Sequence, residues 1–329
     1  MLSVAIVIPL LAAGGLLAVR DLPERWARAA STGVAAVPLA LMLVTWARFD
    51  TGSDELFQLR EEAPWIPSLG VAWRVGVDGI GLALALLTAV VFLAAIAYPV
   101  DTRGRPRQYY CAMLFLEGVS LGLFLTLDLL VFYVFFELRL VGMFFLIGRW
   151  GHGDARLAAL KFFLYTLAGS LVMLLGILGI YLGTDPLTFD MAEIIRTQPL
   201  ADDGVRAGFV MVALLVGLAV KTPLVPVHTW LPPAHVDAPG PASAILAGVL
   251  LKMGTFGMVR LPYSMLRDTF ERAALPLAIV ATVSIVYGAL VALGQSNLKR
   301  RIAYSSVNHM GYAVLGIAVA GAAAGNDEA

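Results

Sequence analysis

Ten apolar stretches, each long enough to cross a bilayer as a helix, constrain this chain more than anything else in it. They lie near residues 2–19, 30–47, 79–98, 109–127, 129–148, 158–182, 207–228, 240–259, 273–294 and 302–321. At 1.5 Å of rise per residue, roughly 20 apolar residues span about 30 Å of hydrocarbon. The chain is 60% hydrophobic and only 14% charged over 329 residues. A water-soluble domain could not cover so much apolar surface. The fold class is therefore all-α, a polytopic helical membrane protein.

The loops give the spans a direction. Those after spans 1, 3, 5 and 9 hold Arg20, Arg25 and Arg28; Arg103, Arg105 and Arg107; Arg149, Arg156 and Lys161; and Lys299, Arg300 and Arg301. The opposite side is acidic, with Glu61, Glu62, Asp128, Asp185 and Asp203 among others. The loop after span 8 mixes Arg260, Arg267 and Arg272 with Asp268 and Glu271. The positive-inside rule places the arginine-rich set in the cytoplasm and the N-terminus outside. No basic residue precedes the first apolar run, so it reads as a membrane helix and not a cleavable signal.

Two connectors, 48–78 and 183–206, are longer and rich in Asp, Glu and Pro. In the second, LTFDMAEIIRT at 187–197 reads as a short interfacial helix. The last span runs into GAAAGNDEA, which is read either as a natural end or as a truncation. The net charge is zero, so nothing points to nucleic acid. The single cysteine, Cys111, excludes an internal disulfide or a Cys-ligated iron–sulfur cluster. No phosphate-binding loop, dinucleotide-binding glycine pattern or HExxH motif is present. An energy source must therefore come from an ion gradient or a partner.

Ionisable groups inside a membrane span are costly and call for a reason. Five stand out: Glu117, Glu137, Lys221, Lys252 and His309. Glu137 lies about 14 Å from Asp128 and about 18 Å from Arg149 along a helix, close to the midplane. It reads as a proton-carrying carboxylate; the plainer reading is a neutral or Arg139-paired packing group. The chain has four lysines against nineteen arginines, yet both deep basic groups are Lys. Arginine effectively never gives up its proton, whereas a buried lysine can. Lys221 and Lys252 therefore suit proton uptake and release, with snorkelling to the interface as the alternative. His309 suits a relay by its near-neutral titration, or is a hydrogen-bonded core histidine. Glu117, early in span 4, reads equally as a shallow, partly hydrated carboxylate.

The stretch VKTPLVPVHTWLPPAHVDAPG at 220–240 breaks span 7 beside Lys221. Pro223 and Pro226 cannot donate to the carbonyls of Ala219 and Thr222, which should be left free. Free carbonyls at this depth are tolerated only against protein or water. His228 and His235 flank the break, but their seven-residue spacing does not match a zinc pair, and no metal is expected. Pairing Glu137 with Lys221 would lower the cost of burying both and couple their protonation.

FELRLVGMFFLIGRWG, KFFLYTLAGS, VKTPLVPVHTWLPPAHVDAP, LAGVLLKMGTFGMVR and LKRRIAYSSVNHMGY resemble the antiporter-like subunits of proton-translocating NADH–quinone oxidoreductase, respiratory complex I, with the bacterial M subunits nearest. The resemblance runs from about Asp78 to the last span. It implies a 14-helix fold built from inverted five-helix repeats with a broken helix 7. On this chain that divides into an N-terminal three-helix segment (1–108), a first five-helix repeat (109–260) and a partial second repeat (273–329). It implies that Glu137 pairs with Lys221, and that Lys252 and His309 continue the proton path. His228, His235 and Glu117 are weaker members.

The subunit is implied to hold no cofactor; NADH, FMN, iron–sulfur clusters and quinone belong to partner subunits, and the partners are the neighbouring membrane-arm subunits. The expected location is the bacterial plasma membrane. Departures from the family pattern include Arg139 and Gly142, where an aliphatic or Met and a Pro are frequent, Pro233 in WLPPAH, and Arg301 beside the basic pair. Spans 11–14 of the family have no counterpart here, so the chain is expected to be C-terminally truncated. The alternatives to a proton-translocating subunit are an Mrp-type cation/proton antiporter subunit and a non-pumping scaffold.

Overall fold

The computed structural model describes residues 1–19 and 22–324; Arg20, Asp21 and the GNDEA segment 325–329 lie outside the described residues. Every expected span is helical, although the seventh stops at Lys221 and the eighth is interrupted. They are α1 (Leu2–Ala18), α2 (Glu24–Arg48), α3 (Gly79–Ala97), α4 (Pro106–Leu125), α5 (Leu129–Trp150), α6 (Ala155–Tyr181), α8 (Gly204–Lys221), the stretch Gly240–Tyr263, α12 (Arg267–Leu293) and α13 (Leu298–Ala324). Among the described residues nine of these are long and apolar enough to cross a membrane, and α1 is a shorter apolar helix.

Polar residues at the ends set the boundaries. Asp78 accepts from Gly81 N at 2.8 Å at the start of α3, and Asp203 accepts from Arg206 N at 3.0 Å at the start of α8. Pro106 occupies the first turn of α4, where its missing N–H costs nothing. The interfacial helix in the second connector forms as α7 (Met191–Thr197), shorter than the stretch expected and capped by Asp190, which accepts from Ala192 N at 2.8 Å.

Two features depart from the expected helices. The connector 48–78 contains a β-hairpin, so the chain is not purely helical. Its strands β1 (Gln58–Ile66) and β2 (Val71–Val77) pair antiparallel, with Glu61 opposite Val75 and Ala63 opposite Trp73. The eighth span is not one regular helix. It runs as α10 (Gly240–Ile245), a π-helical turn at Leu246–Leu250, α11 (Lys252–Met258) and a second π-helical turn at Val259–Tyr263.

The chain forms two compact units that interleave along the sequence. The first is Met1–Pro67, Val71–Leu160 and Asp237–Leu250. Its centre is α4, buried along nearly its whole length from Tyr109 to Leu125. Helices α1, α2, α3 and α5 pack around it. Asp128 joins the hairpin to α5: its carboxylate accepts from Leu130 and Val131 N at the helix start, from Ala72 N, and from Arg74 Nη1 at 3.1 Å. The second unit is Ser68–Gly70, Lys161–Val236 and Leu251–Ala329. There α12 and α13 pack along their length, and α8 lies beside α11 and α12.

Candidate functional site

In the first unit, Glu137 is half-buried on α5. Two residues on, Arg139 is fully buried with its guanidinium 4.4 Å from the Phe136 ring centre. Its Nε donates to the Phe136 carbonyl and its Nη1 to the Leu250 carbonyl, both at 3.0 Å. The planar fork thus ties α5 to the end of the first π-helical turn. Glu117 is fully buried on α4, the helix around which α1, α2, α3 and α5 pack.

In the second unit, α8 reaches Lys221 on a close-packed track. A Cβ at Gly217 would stand 2.6 Å from the Gly169 carbonyl oxygen, and one at Gly169 would meet Val220 at 2.8 Å. Small residues of this kind let helices approach to backbone contact. Helix α8 ends at Lys221, with 3% of that residue exposed, seven residues before the expected end of the span.

The backbone groups at this end have partners. Thr222 N donates to the Leu218 carbonyl at 2.8 Å, and Leu224 N donates to the Ala219 carbonyl at 3.1 Å. Trp230 Nε1 donates to the Val220 carbonyl at 2.8 Å. The Ala219 carbonyl is therefore not left free by Pro223. The chain turns wide enough for the N–H five residues on to replace the missing one. Val225 N donates to Ser284 Oγ on α12 at 2.9 Å, which holds the middle of the break. Beyond it lies the short helix α9 (Leu231–Asp237).

Lys252 begins α11 and is half-buried. Two residues later, Gly254 meets the end of α8. A Cβ there would stand 2.9 Å from Thr222 N and collide with Thr222 Oγ1. The structure therefore brings the segment carrying Lys252 against the turn that follows Lys221. His228 is buried in the break, its ring 5.1 Å from Tyr287 and 6.1 Å from Tyr304. His235 is buried on α9, next to Val236, whose carbonyl accepts from Lys299 Nζ at 3.1 Å. His309 is exposed on α13. Among the described residues, no cluster of His, Cys, Asp and Glu could hold a metal ion.

Sequence reasoning did not find Trp230, Ser284 or Gly254. Trp230 had a faint signal, a tryptophan inside a proline-rich break with an N–H to satisfy. Gly254 had none, since the sequence alone does not show what passes beside it.

Residues 126–327, more than half of the chain, match the family model described as NADH:quinone oxidoreductase/Mrp antiporter, TM. The chain belongs to this family. A NAD(P)H-quinone oxidoreductase chain 4 of Trichodesmium erythraeum is 43% identical over 96% of this chain and 56% of its own length. One from a Synechococcus species is 40% identical over 96% of this chain and 59% of its own. The chain thus spans under two thirds of the length of these antiporter-family relatives.

Among solved structures, respiratory complex I from Thermus thermophilus with bound NADH contains a chain similar at a TM-score of 0.85 and 31% identity, covering 97% of this chain and 64% of that one. The Mrp complex from a Dietzia species contains one similar at 0.84 and 26%, covering 97% and 34%. As a family member, the protein is a multi-pass helical membrane protein of the antiporter-like type found in bacterial respiratory complexes.

Proposed function

We propose that this chain is a proton-translocating membrane subunit of a respiratory NADH:quinone oxidoreductase, of the kind called M or chain 4. The observation that carries this reading is Lys221, a lysine buried at the broken end of α8. Ionisable residues within membrane spans are costly and mark ion and proton pathways. The family resemblance pairs it with Glu137 for proton transfer and adds Lys252 and His309, with His228, His235 and Glu117 as weaker members. Hydride and electron chemistry on NADH, FMN, iron–sulfur clusters and quinone belongs to partner subunits, and the neighbours are other membrane-arm subunits. The membrane is the bacterial plasma membrane, with the N-terminus outside. In the assembled complex, Lys221→Ala or Glu137→Gln abolishes NADH-driven proton pumping and leaves assembly intact. Wild-type pumping in either variant overturns the reading.

The similarity to the Mrp complex supports a second reading, a cation/proton antiporter subunit. It requires no electron donor. Sodium-driven proton exchange in vesicles without NADH, lost in Lys221→Ala, would favour it.

A further inference from the structure

Glu117 is fully buried, and among the described residues neither of its carboxyl oxygens has a hydrogen-bond partner. A carboxylate cannot stay ionised and unpartnered in such a place; it is protonated, solvated by buried water, or both. A neutral acid still carries one donor and several acceptor positions, and buried polar groups are nearly always satisfied. Buried water commonly fills that role, making about three hydrogen bonds to groups that would otherwise be unsatisfied.

The surroundings give that water a course. Tyr110 stands seven residues before Glu117 and Ser120 three after, and both hydroxyls are buried and without a partner among the described residues. Successive helical residues turn by about 100°, so Tyr110 lies within about 20° of Glu117 and Ser120 within about 60°. The three polar groups therefore share one face of α4. Tyr110 is within electrostatic reach of Glu24 and Arg28, at the start of α2. Seven residues beyond Glu24, Ser31 Oγ is likewise buried and unpartnered among the described residues. This end of the column lies on the arginine-rich side of the membrane.

The column is not the one that serves Glu137. Gly122 lies under the Phe135 ring, and Phe115 and Leu116 lie against Gly142, so these residues mark the face of α4 that meets α5. Glu117 is turned about 140° from Gly122 and about 160° from Phe115. It points away from α5 and from the carboxylate that α5 carries.

We infer that Glu117 is a proton-binding site of its own, a buried carboxylic acid joined by water along α4 to Ser120 and Tyr110 and loaded from the side of Glu24 and Arg28. A proton arriving through this water closes the carboxylate to the acid, and leaves by the same O–H when the site empties. The site's use rests on the proton-carrying reading above; its existence rests on the packing of α4.

Infrared difference spectra of the assembled complex in light and heavy water test it. In the wild type minus Glu117→Gln difference, a carbonyl-stretch band of a protonated carboxylic acid is expected, shifted in heavy water. Glu117→Asp keeps such a band, at a displaced frequency. Glu137→Gln leaves the Glu117 band in place, so the result does not depend on whether the complex pumps. Loss of no such band in Glu117→Gln overturns the proposal. So does a band that does not move in heavy water, which would make Glu117 a sealed acid with no water route.

Discussion

Arg139 donates from Nη1 to the Leu250 carbonyl at 3.0 Å, so a guanidinium on α5 serves a carbonyl at the end of a π-helical turn. A charged hydrogen bond of this kind contributes about 1.5–3 kcal/mol, and an orphaned buried carbonyl costs about 1–3 kcal/mol. Removing the side chain also removes the cost of burying its charge. Arg139→Met should therefore lose about 1–3 kcal/mol. Arg139→Lys should lose more, because it keeps a buried cation yet cannot reach the Phe136 and Leu250 carbonyls together, as the planar fork does. Comparative thermal denaturation of the purified variants checks the order. A lysine variant as stable as the wild type would show that charge alone matters there.

Outside the membrane, Glu61 of β1 caps α1 from a distance. It accepts from Leu2 N at 2.8 Å and Ser3 N at 3.0 Å, and from the Met1 amino group. Partial burial disfavours its charge, but these donors outweigh burial and hold its pKa at about 2, against the ordinary 4.5. A depressed folded-state pKa means stability that is fully present above 4.5 and lost as pH falls toward about 2. Glu61→Gln should be less stable than the wild type near neutrality, with the gap closing between pH 4.5 and about 2. Amide exchange at the start of α1, followed against pH, reads this directly; parallel curves would show that Glu61 is not the titrating cap.

What the sequence made visible was governed by local chemistry. The helices could be read because about 20 apolar residues admit few other fates in lipid. The break after Lys221 was equally visible, since Pro223 cannot continue the hydrogen-bond ladder. The hairpin was obscured because VAWRVGV, a good strand, sits inside an acidic connector. The burial of Glu117 was left open for a different reason. Its depth was inferred from its distance to the end of its own helix, whereas burial depends on α1, α2, α3 and α5 closing around α4. The Ala219 and Val220 carbonyls were also beyond reach, since their donors depend on how residues 222–230 turn back.

Gly254 and Thr222 pack so closely that a methyl group between them has no room. Gly254→Ala should displace α11 from the end of α8 and cost about 1–3 kcal/mol, the usual range for overpacking. Gly316→Ala on α13 is the control. Nothing lies within 4 Å of the Cβ it adds, and alanine is the better helix former by about 1 kcal/mol. The two variants should therefore shift stability in opposite directions. If Gly254 also sets the approach of the Lys252 segment to the Lys221 turn, Gly254→Ala will slow proton translocation with both lysines intact. Equal stability in the two variants would sink the packing argument.

Trp230 satisfies the Val220 carbonyl at 2.8 Å while its ring lies 5.4 Å from that of Phe162. These two roles can be separated. Trp230→Phe keeps an aromatic body and loses the N–H, which should cost about 1–3 kcal/mol as the carbonyl is orphaned. Trp230→Leu loses the ring contact as well and should cost more. The loss falls beside Lys221, at the end of α8. The expected sign is faster hydrogen exchange at Leu224 N, which donates to the neighbouring Ala219 carbonyl, with the rest of α8 unaffected. Proton translocation should fall in Trp230→Phe even though every titratable group remains. Unchanged exchange at Leu224 in Trp230→Phe would mean that the indole N–H does not hold the break closed.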